Sequence, residues 1–470
     1  MLARSIQSRL PQATLQLTEI PLTVRRDGSG PLHLQLAEQL REGVRDGRLR
    51  GGHRLPSTRD LARQLGVSRS VAQSAYDQLH AEGWIEGKTG SGTYVADVVP
   101  LEPAQATPRR PKPAPPRPLL TLRPGIPYVE PTADAGWRRA WREVSAQPPA
   151  RGYEDAAGLP ALRTALAEYV ARTRGIACGP DNVLVTNGSA HGLRLLLSAT
   201  RRPGESIAIE DPGYLSAVRA ARNHGLPIID IPVDSDGLRV DLLGPEPAAV
   251  YVTPSHQYPL GGRLPVARRN ALVEWARRTG ATVIEDDYDS EFRYDVAPLP
   301  ALAQLDLDRV VHLGTMSKML SPSLRLGWLV ASPDTVDLLA AHREDTGDWP
   351  SWPVQAAVLA MLREGYLDQL VRRGRRRYAE RCAQVVDQLS PYGEVLGRDA
   401  GLHVTLILPA HLNDRTIAAA AEAAGVKVAP LSDYRRSTPG PPGLVIGYAT
   451  PTTPNLQKAL TLLTKVLATS

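Results

Sequence analysis

Residues 100–118, PLEPAQATPRRPKPAPPRP, hold eight prolines and no periodic apolar pattern. Proline fixes φ and has no amide hydrogen, so this stretch can join neither a helix interior nor a central strand. It reads as an extended, semi-rigid spacer. A chain of 470 residues exceeds one ordinary core. The spacer therefore predicts an N-terminal domain over 1–99, a linker over 100–118 and a C-terminal domain over 119–470.

Charge divides near the same place. Residues 1–118 contain 17 Lys+Arg against 11 Asp+Glu, and so hold the chain's whole formal surplus of +6. A basic module on a neutral partner domain suits polyanion binding, with a solvated basic surface as the plainer alternative. No run of 18 apolar residues is present, and the first thirty residues lack the apolar core of a secretion signal. Cys178 and Cys382 stand far apart outside any CxxC context. Together these features predict a cytoplasmic protein without membrane partner, disulfide or metal, its two thiols buried as small hydrophobes.

Within the basic module, PLHLQLAEQLREGVRDGRL repeats Leu32, Leu36, Leu40 and Val44 at helical spacing. In LPSTRDLARQLGVSRSVAQSAYDQLHAEG, Ser57 can cap a short helix, Gly66 supplies a turn, and Ser68 can cap a second helix ending near Glu82. That order is a helix-turn-helix, whose second helix enters the major groove. WIEGKTGSGTYV then reads as a β-hairpin wing. The phrases LPSTRDLA, LGVSRSV and GSGTYV resemble the GntR winged-helix family over about residues 30–96. The resemblance implies contact with an operator in double-stranded DNA through Arg59, Ser68, Arg69 and Ser70, with Lys88, Thr89 and Gly90 on the wing. Arg54 and Ser57 are expected to join them. Arginine suits guanine edges, while hydroxyls and helix starts suit phosphate.

The C-terminal stretch alternates strand candidates (NVLVT, SIAIE, AAVYVT, ATVIED, VVHLG) with amphipathic runs, which predicts a mainly parallel α/β sheet. Four of its features match what a pyridoxal phosphate site asks of a protein. Lys318, just after VVHLG, is a candidate Schiff-base amine, and a desolvated lysine among cationic groups has a lowered pKa. ATVIEDDYDSEF places Asp286 at a strand's C-terminal end, where open α/β sheets hold ligands, with Tyr288 two residues on. A metal cluster is the competing reading there, and no nearby histidine supports it. Gly188-Ser189-Ala190 opens a helix after VLVTN, a setting that binds phosphate. Tyr214 offers a flat face for a ring.

Over about residues 120–468 these stretches resemble the fold-type I aminotransferases. TPSHQYPLG, EDDYDSEFRY and SKMLSPSLRLGWLV are similar to the MocR subgroup of GntR regulators, in which a winged helix is fused to an aminotransferase-like domain. The resemblance implies a pyridoxal 5'-phosphate site with Lys318 as the Schiff-base lysine, Asp286 on the pyridine nitrogen, Tyr288 at the ring oxygen and Tyr214 stacked on the ring. Ser189, Ala190, Thr315, Ser317 and Arg325 would hold the phosphate, and Tyr153 would reach a partner subunit's phosphate in a homodimer with shared sites. Two positions depart from aminotransferases. Tyr258 stands where an asparagine is usual, and Val445 where an arginine clamps the substrate carboxylate; Arg435 and Arg436 are candidate substitutes. The expected function is therefore a regulator whose DNA binding responds to pyridoxal phosphate, as in the pyridoxine-regulating branch of the family, or to a reactive amine or amino acid. An active aminotransferase with a DNA-binding appendage, and a cofactor-free scaffold, are the alternatives.

Overall fold

The computed structural model describes residues 22–28, 30–98, 119–129, 134–153, 155–437 and 439–470. The Pro-rich linker expected over 100–118 lies outside them. The described residues form two compact units, one on each side of that stretch.

The first unit comprises α1 (Leu32–Arg45), α2 (Thr58–Leu65), α3 (Arg69–Ala81), β1 (Ile85–Lys88) and β2 (Gly92–Val95). Ser57 Oγ accepts from the Asp60 amide at 3.2 Å, and α2 stops at Gly66, which adopts the left-handed φ of 63° that glycine tolerates. Ser68 Oγ accepts from the Val71 amide at 3.4 Å and starts α3. Leu36, Leu40 and Val44 of α1 pack with Leu61, Ala72, Tyr76 and Leu79 in one core, while Leu32 remains half-buried. The helix ends at Arg45 because Gly47 turns the chain and delivers Leu49 into the same core. Antiparallel β1 and β2 pair Ile85 with Val95 and form the wing.

The second unit begins with β3 (Leu120–Thr121), α4 (Ala135–Ser145), α5 (Pro160–Arg174), β4 (Val183–Thr186), α6 (Ser189–Thr200), β5 (Ile207–Asp211), α7 (Leu215–Asn223), β6 (Ile228–Asp234) and β7 (Gly237–Leu238). There follow β8 (Ala249–Val252), α8 (Val266–Thr279), β9 (Thr282–Asp287), β10 (Val310–Thr315), β11 (Gly327–Val330), α9 (Pro333–Thr346) and α10 (Trp352–Arg363). Eight strands form one sheet in the order β4-β11-β10-β9-β8-β5-β6-β7. The centre from β10 to β6 is parallel, as expected of a mainly parallel sheet, while β11, β4 and β7 join antiparallel at its two ends.

Alternation along the strands builds two cores. Val183 and Val185 face the layer of α5 and α10, whereas Leu184 faces that of α6, α7 and α9. Burial on both faces explains why these strands read as continuous apolar runs. Beyond the sheet, α11 (Tyr366–Leu389), β12 (Glu394–Leu396), β13 (His403–Ile407), α12 (Asp414–Ala423), β14 (Val426–Lys427), β15 (Ala429–Pro430), β16 (Gly443–Gly447) and α13 (Thr453–Ala468) complete the chain. Here β12-β13-β16-β15 form an antiparallel sheet, and β14 pairs with β3. Cys382 is buried; Cys178 is only half-buried, a correction to its expected place in the core. No helix among the described residues is long and apolar enough to cross a membrane.

Candidate functional site

The C-terminal ends of β9 and β10 lie side by side, with Leu313 opposite Asp286 and Gly314 opposite Asp287. Lys318 follows in the turn after β10, half-buried, and its Nζ donates to the Gly125 carbonyl. Burial lowers the Lys318 pKa, and the Asp289 and Asp286 carboxylates partly oppose it. Asp286 Oδ2 accepts from the Tyr251 hydroxyl, while Oδ1 is buried with no hydrogen-bond partner. Removal from water raises the Asp286 pKa to about 6, an effect that Asp287 reinforces and Lys318 opposes. A buried carboxylate oxygen left unpaired is costly and suits a cationic N–H donor.

Tyr214, Tyr258 and Tyr288 form an aromatic wall at this edge. The Tyr258 ring stands edge-on to Tyr214 at 5.7 Å and to Tyr288 at 5.9 Å. Tyr288 Oη lies 3.1 Å from His256 Nδ1, which itself lies 2.9 Å from Asp289 Oδ2. His403 packs against His256 with ring centroids 5.3 Å apart, and ligand-type atoms of His256, Asp289 and His403 fall within 4.8 Å of one another. Chain distance hid that grouping from sequence patterns, which is why the acidic run showed no histidine nearby.

The other end of the site rests on glycines. Thr186 on β4 faces Gly327 on β11, which faces Thr315 on β10. A Cβ on Gly327 would lie 2.9 Å from Gly188 Cα and 2.6 Å from the Gly314 carbonyl, so only glycine lets the start of α6 close onto β11. The Arg325 guanidinium then comes within 3.7 Å of where a Gly188 Cβ would stand. Arg325 has φ 50°, the single non-glycine residue in the left-handed region among the described residues. Such a setting costs about 1–3 kcal/mol and concentrates at ligand sites. The first N–H groups of α6, at Ser189 and Ala190, have no intrahelical acceptor. Thr315 Oγ1 donates to Ser317 Oγ at 3.0 Å and accepts from the Ser317 amide at 3.1 Å. The arrangement brings the helix-start N–H groups, the Thr315 and Ser317 hydroxyls and the Arg325 guanidinium to neighbouring strand ends, a setting whose chemistry suits an anion.

Tyr153 stands apart, 89% exposed, with its ring 5.0 Å from Trp349. Val445 is fully buried in β16. Arg436 is committed elsewhere: its Nε donates to Asp230 at 2.6 Å and a terminal nitrogen donates to the Glu210 carbonyl at 2.8 Å. Tyr251, Gly125 and His403 carry no sequence signal for their places here. Glu210 is buried beside Thr253 and Gln257, and desolvation raises its pKa to about 7.

In the first unit, Arg54, Arg59, Ser68, Arg69, Ser70, Lys88, Thr89 and Gly90 are all exposed. Most basic neighbours are ion-paired: Arg41 with Glu38 and Glu82, Arg48 with Asp46, Arg63 with Asp60, and Lys88 with Glu86 at 3.4 Å. The side chains of Arg54, Arg59 and Arg69 make no hydrogen bond or ion pair among the described residues. Ser57 and Ser68 spend their hydroxyls on local partners, Ser57 on Asp60 at 2.6 Å and Ser68 on Ser70 at 2.8 Å.

Comparison with known proteins accounts for both units. Residues 32–95 match the bacterial regulatory proteins of the gntR family, and residues 130–463 match aminotransferase class I and II. The chain is 38% identical over 437 residues to the HTH-type pyridoxine biosynthesis transcriptional regulator PdxR of Corynebacterium glutamicum, covering 92% of this chain and 95% of that one. It is 34% identical over 456 residues to the probable rhizopine catabolism regulatory protein MocR of Rhizobium meliloti, covering 91% and 92%. The α-aminoadipate aminotransferase LysN of Thermus thermophilus, solved with N-(5'-phosphopyridoxyl)-L-leucine, superposes with a TM-score of 0.68 at 26% identity, covering 75% of this chain and 93% of that one. A winged helix ahead of a fold-type I aminotransferase-like domain, with such relatives over nine-tenths of its length, means that this chain belongs to the MocR subfamily of GntR-type, DNA-binding transcription regulators.

Proposed function

We propose that the aminotransferase-like domain binds pyridoxal 5'-phosphate and adjusts operator binding in response to it or to an amine or amino acid that reacts with it. The observation that carries this reading is Asp286 Oδ1, buried and unpaired at the strand edge that also bears Lys318. When bound, pyridoxal phosphate supplies an aldehyde that condenses with primary amines and a chromophore that reports the event. Lys318 would offer Nζ, kept nearer neutrality by burial. Asp286 would hold a proton at the pyridine nitrogen, and Tyr288 would donate to the ring oxygen. Tyr214 would lie against the ring face. Ser189, Ala190, Thr315, Ser317 and Arg325 would grip the phosphate.

Sensing rather than turnover is the purpose we assign to the site. Catalysis needs the substrate held within a narrow range of geometry. Val445 offers no cation and Arg436 is tied to Asp230, so neither supplies a bidentate hold on a carboxylate. In a cytoplasmic homodimer, with Tyr153 reaching the partner's phosphate, the signal would act by favouring one arrangement of the two winged helices, which requires differential affinity between arrangements. Operator titration of the full chain, with and without pyridoxal phosphate, tests the proposal. The expected result is a cofactor-dependent affinity that Lys318→Ala abolishes; equal affinities in both conditions would sink it.

A further inference from the structure

Against Tyr288 lies a buried pair that the residues proposed for the cofactor do not include. His256, in the loop after β8, has Nδ1 2.9 Å from Asp289 Oδ2 and 3.1 Å from Tyr288 Oη. A carboxylate accepts, so Nδ1 carries the hydrogen and presents it to Asp289 and the phenol oxygen together. Tyr288 therefore sends its own hydrogen elsewhere, to the His256 carbonyl at 3.1 Å. His256 Nε2 is buried with no hydrogen-bond partner, which fits the ring nitrogen that bears no hydrogen.

Glycines make room for this pair. A Cβ on Gly401 would lie 2.4 Å from His256 Cε1 and 2.5 Å from Asp289 Oδ2, and Gly401 holds a φ of 85°. On the other edge of the ring, Cβ atoms on Gly261 and Gly397 would lie 3.3 and 3.5 Å from Nε2. His403 on β13 packs against the same imidazole with centroids 5.3 Å apart, but it is already occupied. Its Nε2 lies 3.2 Å from the Pro259 carbonyl, and burial beside His256 pushes its pKa down to about 3, so it is neutral. The other titratable groups that bear on the Tyr288 phenol are Asp289, Tyr258, Asp286 and Glu210.

We infer that His256, its tautomer fixed by Asp289, is a positioning residue for Tyr288. Its Nδ1–H holds the phenol oxygen while the phenol hydrogen turns from the His256 carbonyl to the ring oxygen of a bound cofactor. A hydroxyl that accepts one hydrogen bond donates its own more strongly, so the chain from Asp289 through His256 to Tyr288 steadies negative charge on that ring oxygen. Charge steadied in this way holds a proton at Lys318 Nζ less tightly. The inference rests on the cofactor reading given above, and the experiment keeps the two apart.

Full-length protein loaded with pyridoxal phosphate is titrated with alkali, following the cofactor's absorbance. The same titration is run on Tyr288→Phe, His256→Phe, His256→Gln, His256→Asn and the double variant His256→Gln with Tyr288→Phe. Asparagine sets an amide N–H near the place of Nδ1; glutamine sets it nearer Nε2, and phenylalanine offers none. The absorbance midpoint should rise by about half to one pH unit, the worth of one hydrogen bond, in Tyr288→Phe, His256→Phe and His256→Gln. His256→Asn should keep the wild-type midpoint, and in the Tyr288→Phe background His256→Gln should add nothing. If His256→Phe does not fold, His256→Gln carries the test alone. A midpoint that the Phe and Gln changes leave unmoved or lower, a rise that His256→Asn shares, or one that persists undiminished in the Tyr288→Phe background overturns the inference and leaves the cofactor reading intact. A wild type without Lys318-dependent absorbance overturns both.

Discussion

Asp286→Asn should move two measured quantities in opposite directions. Burial raises the Asp286 pKa from 3.8 to about 6. A folded-state pKa above the unfolded one means the group supports the fold while protonated. That support is full below about pH 3.8 and is lost as pH rises through about 6. Two pKa units correspond to about 3 kcal/mol. At pH 8 the cofactor-free fold thus carries an ionised, half-satisfied carboxylate at about that penalty, which a neutral carboxamide avoids. The expected result is a higher melting temperature for Asp286→Asn at pH 8, with the gain shrinking toward pH 4. The same change removes the charged acceptor for the ring nitrogen, a loss of about 1.5–3 kcal/mol, or roughly ten- to a hundredfold in cofactor affinity. Thermal unfolding between pH 4 and 8 without cofactor gives the first quantity, and absorbance titration with pyridoxal phosphate gives the second. A variant that melts lower at pH 8 and binds the cofactor as well as the wild type would refute both halves of the reasoning.

Three further outcomes are expected. Arg69→Ala, at the exposed start of α3, should weaken operator binding by about 1–3 kcal/mol in a salt-controlled titration; unchanged affinity would displace α3 as the recognition helix. Arg174→Met should lower stability by about 3–5 kcal/mol in denaturant unfolding, because it leaves Asp287 and Glu291 buried without their shared cation. Gly314→Ala should cost about 1–3 kcal/mol in the same assay, since its Cβ would lie 2.1 Å from the Trp328 ring and force the strand or the ring to move; an unshifted midpoint would contradict the packing described.

The amino-acid sequence by itself determined everything whose cause lies within a few residues. The proline-rich sequence of 100–118 offers no core-forming pattern, and the described residues fall into two units on either side of it. Ser57, Gly66 and Ser68 begin, turn and restart the two helices because their side chains, or the lack of one, act on backbone groups within three positions. Apolar alternation marked the strands of the central sheet, and the lysine, the acid and the glycine-led helix start were each visible as local patterns. What those patterns could not carry is who meets whom. Tyr251 and Asp286 are 35 positions apart and Gly125 and Lys318 are 193 apart. Their contacts arise only because parallel strands end together at one edge and a later strand leaves a glycine gap, at Gly447, for the segment carrying Gly125. Tertiary packing likewise drew Arg436 to Asp230, gathered His256, Asp289 and His403, and set Arg325 against Gly188. Spacing along the chain encodes one helix or one strand; burial, register and the room left by a missing Cβ decide which of their side chains share a site.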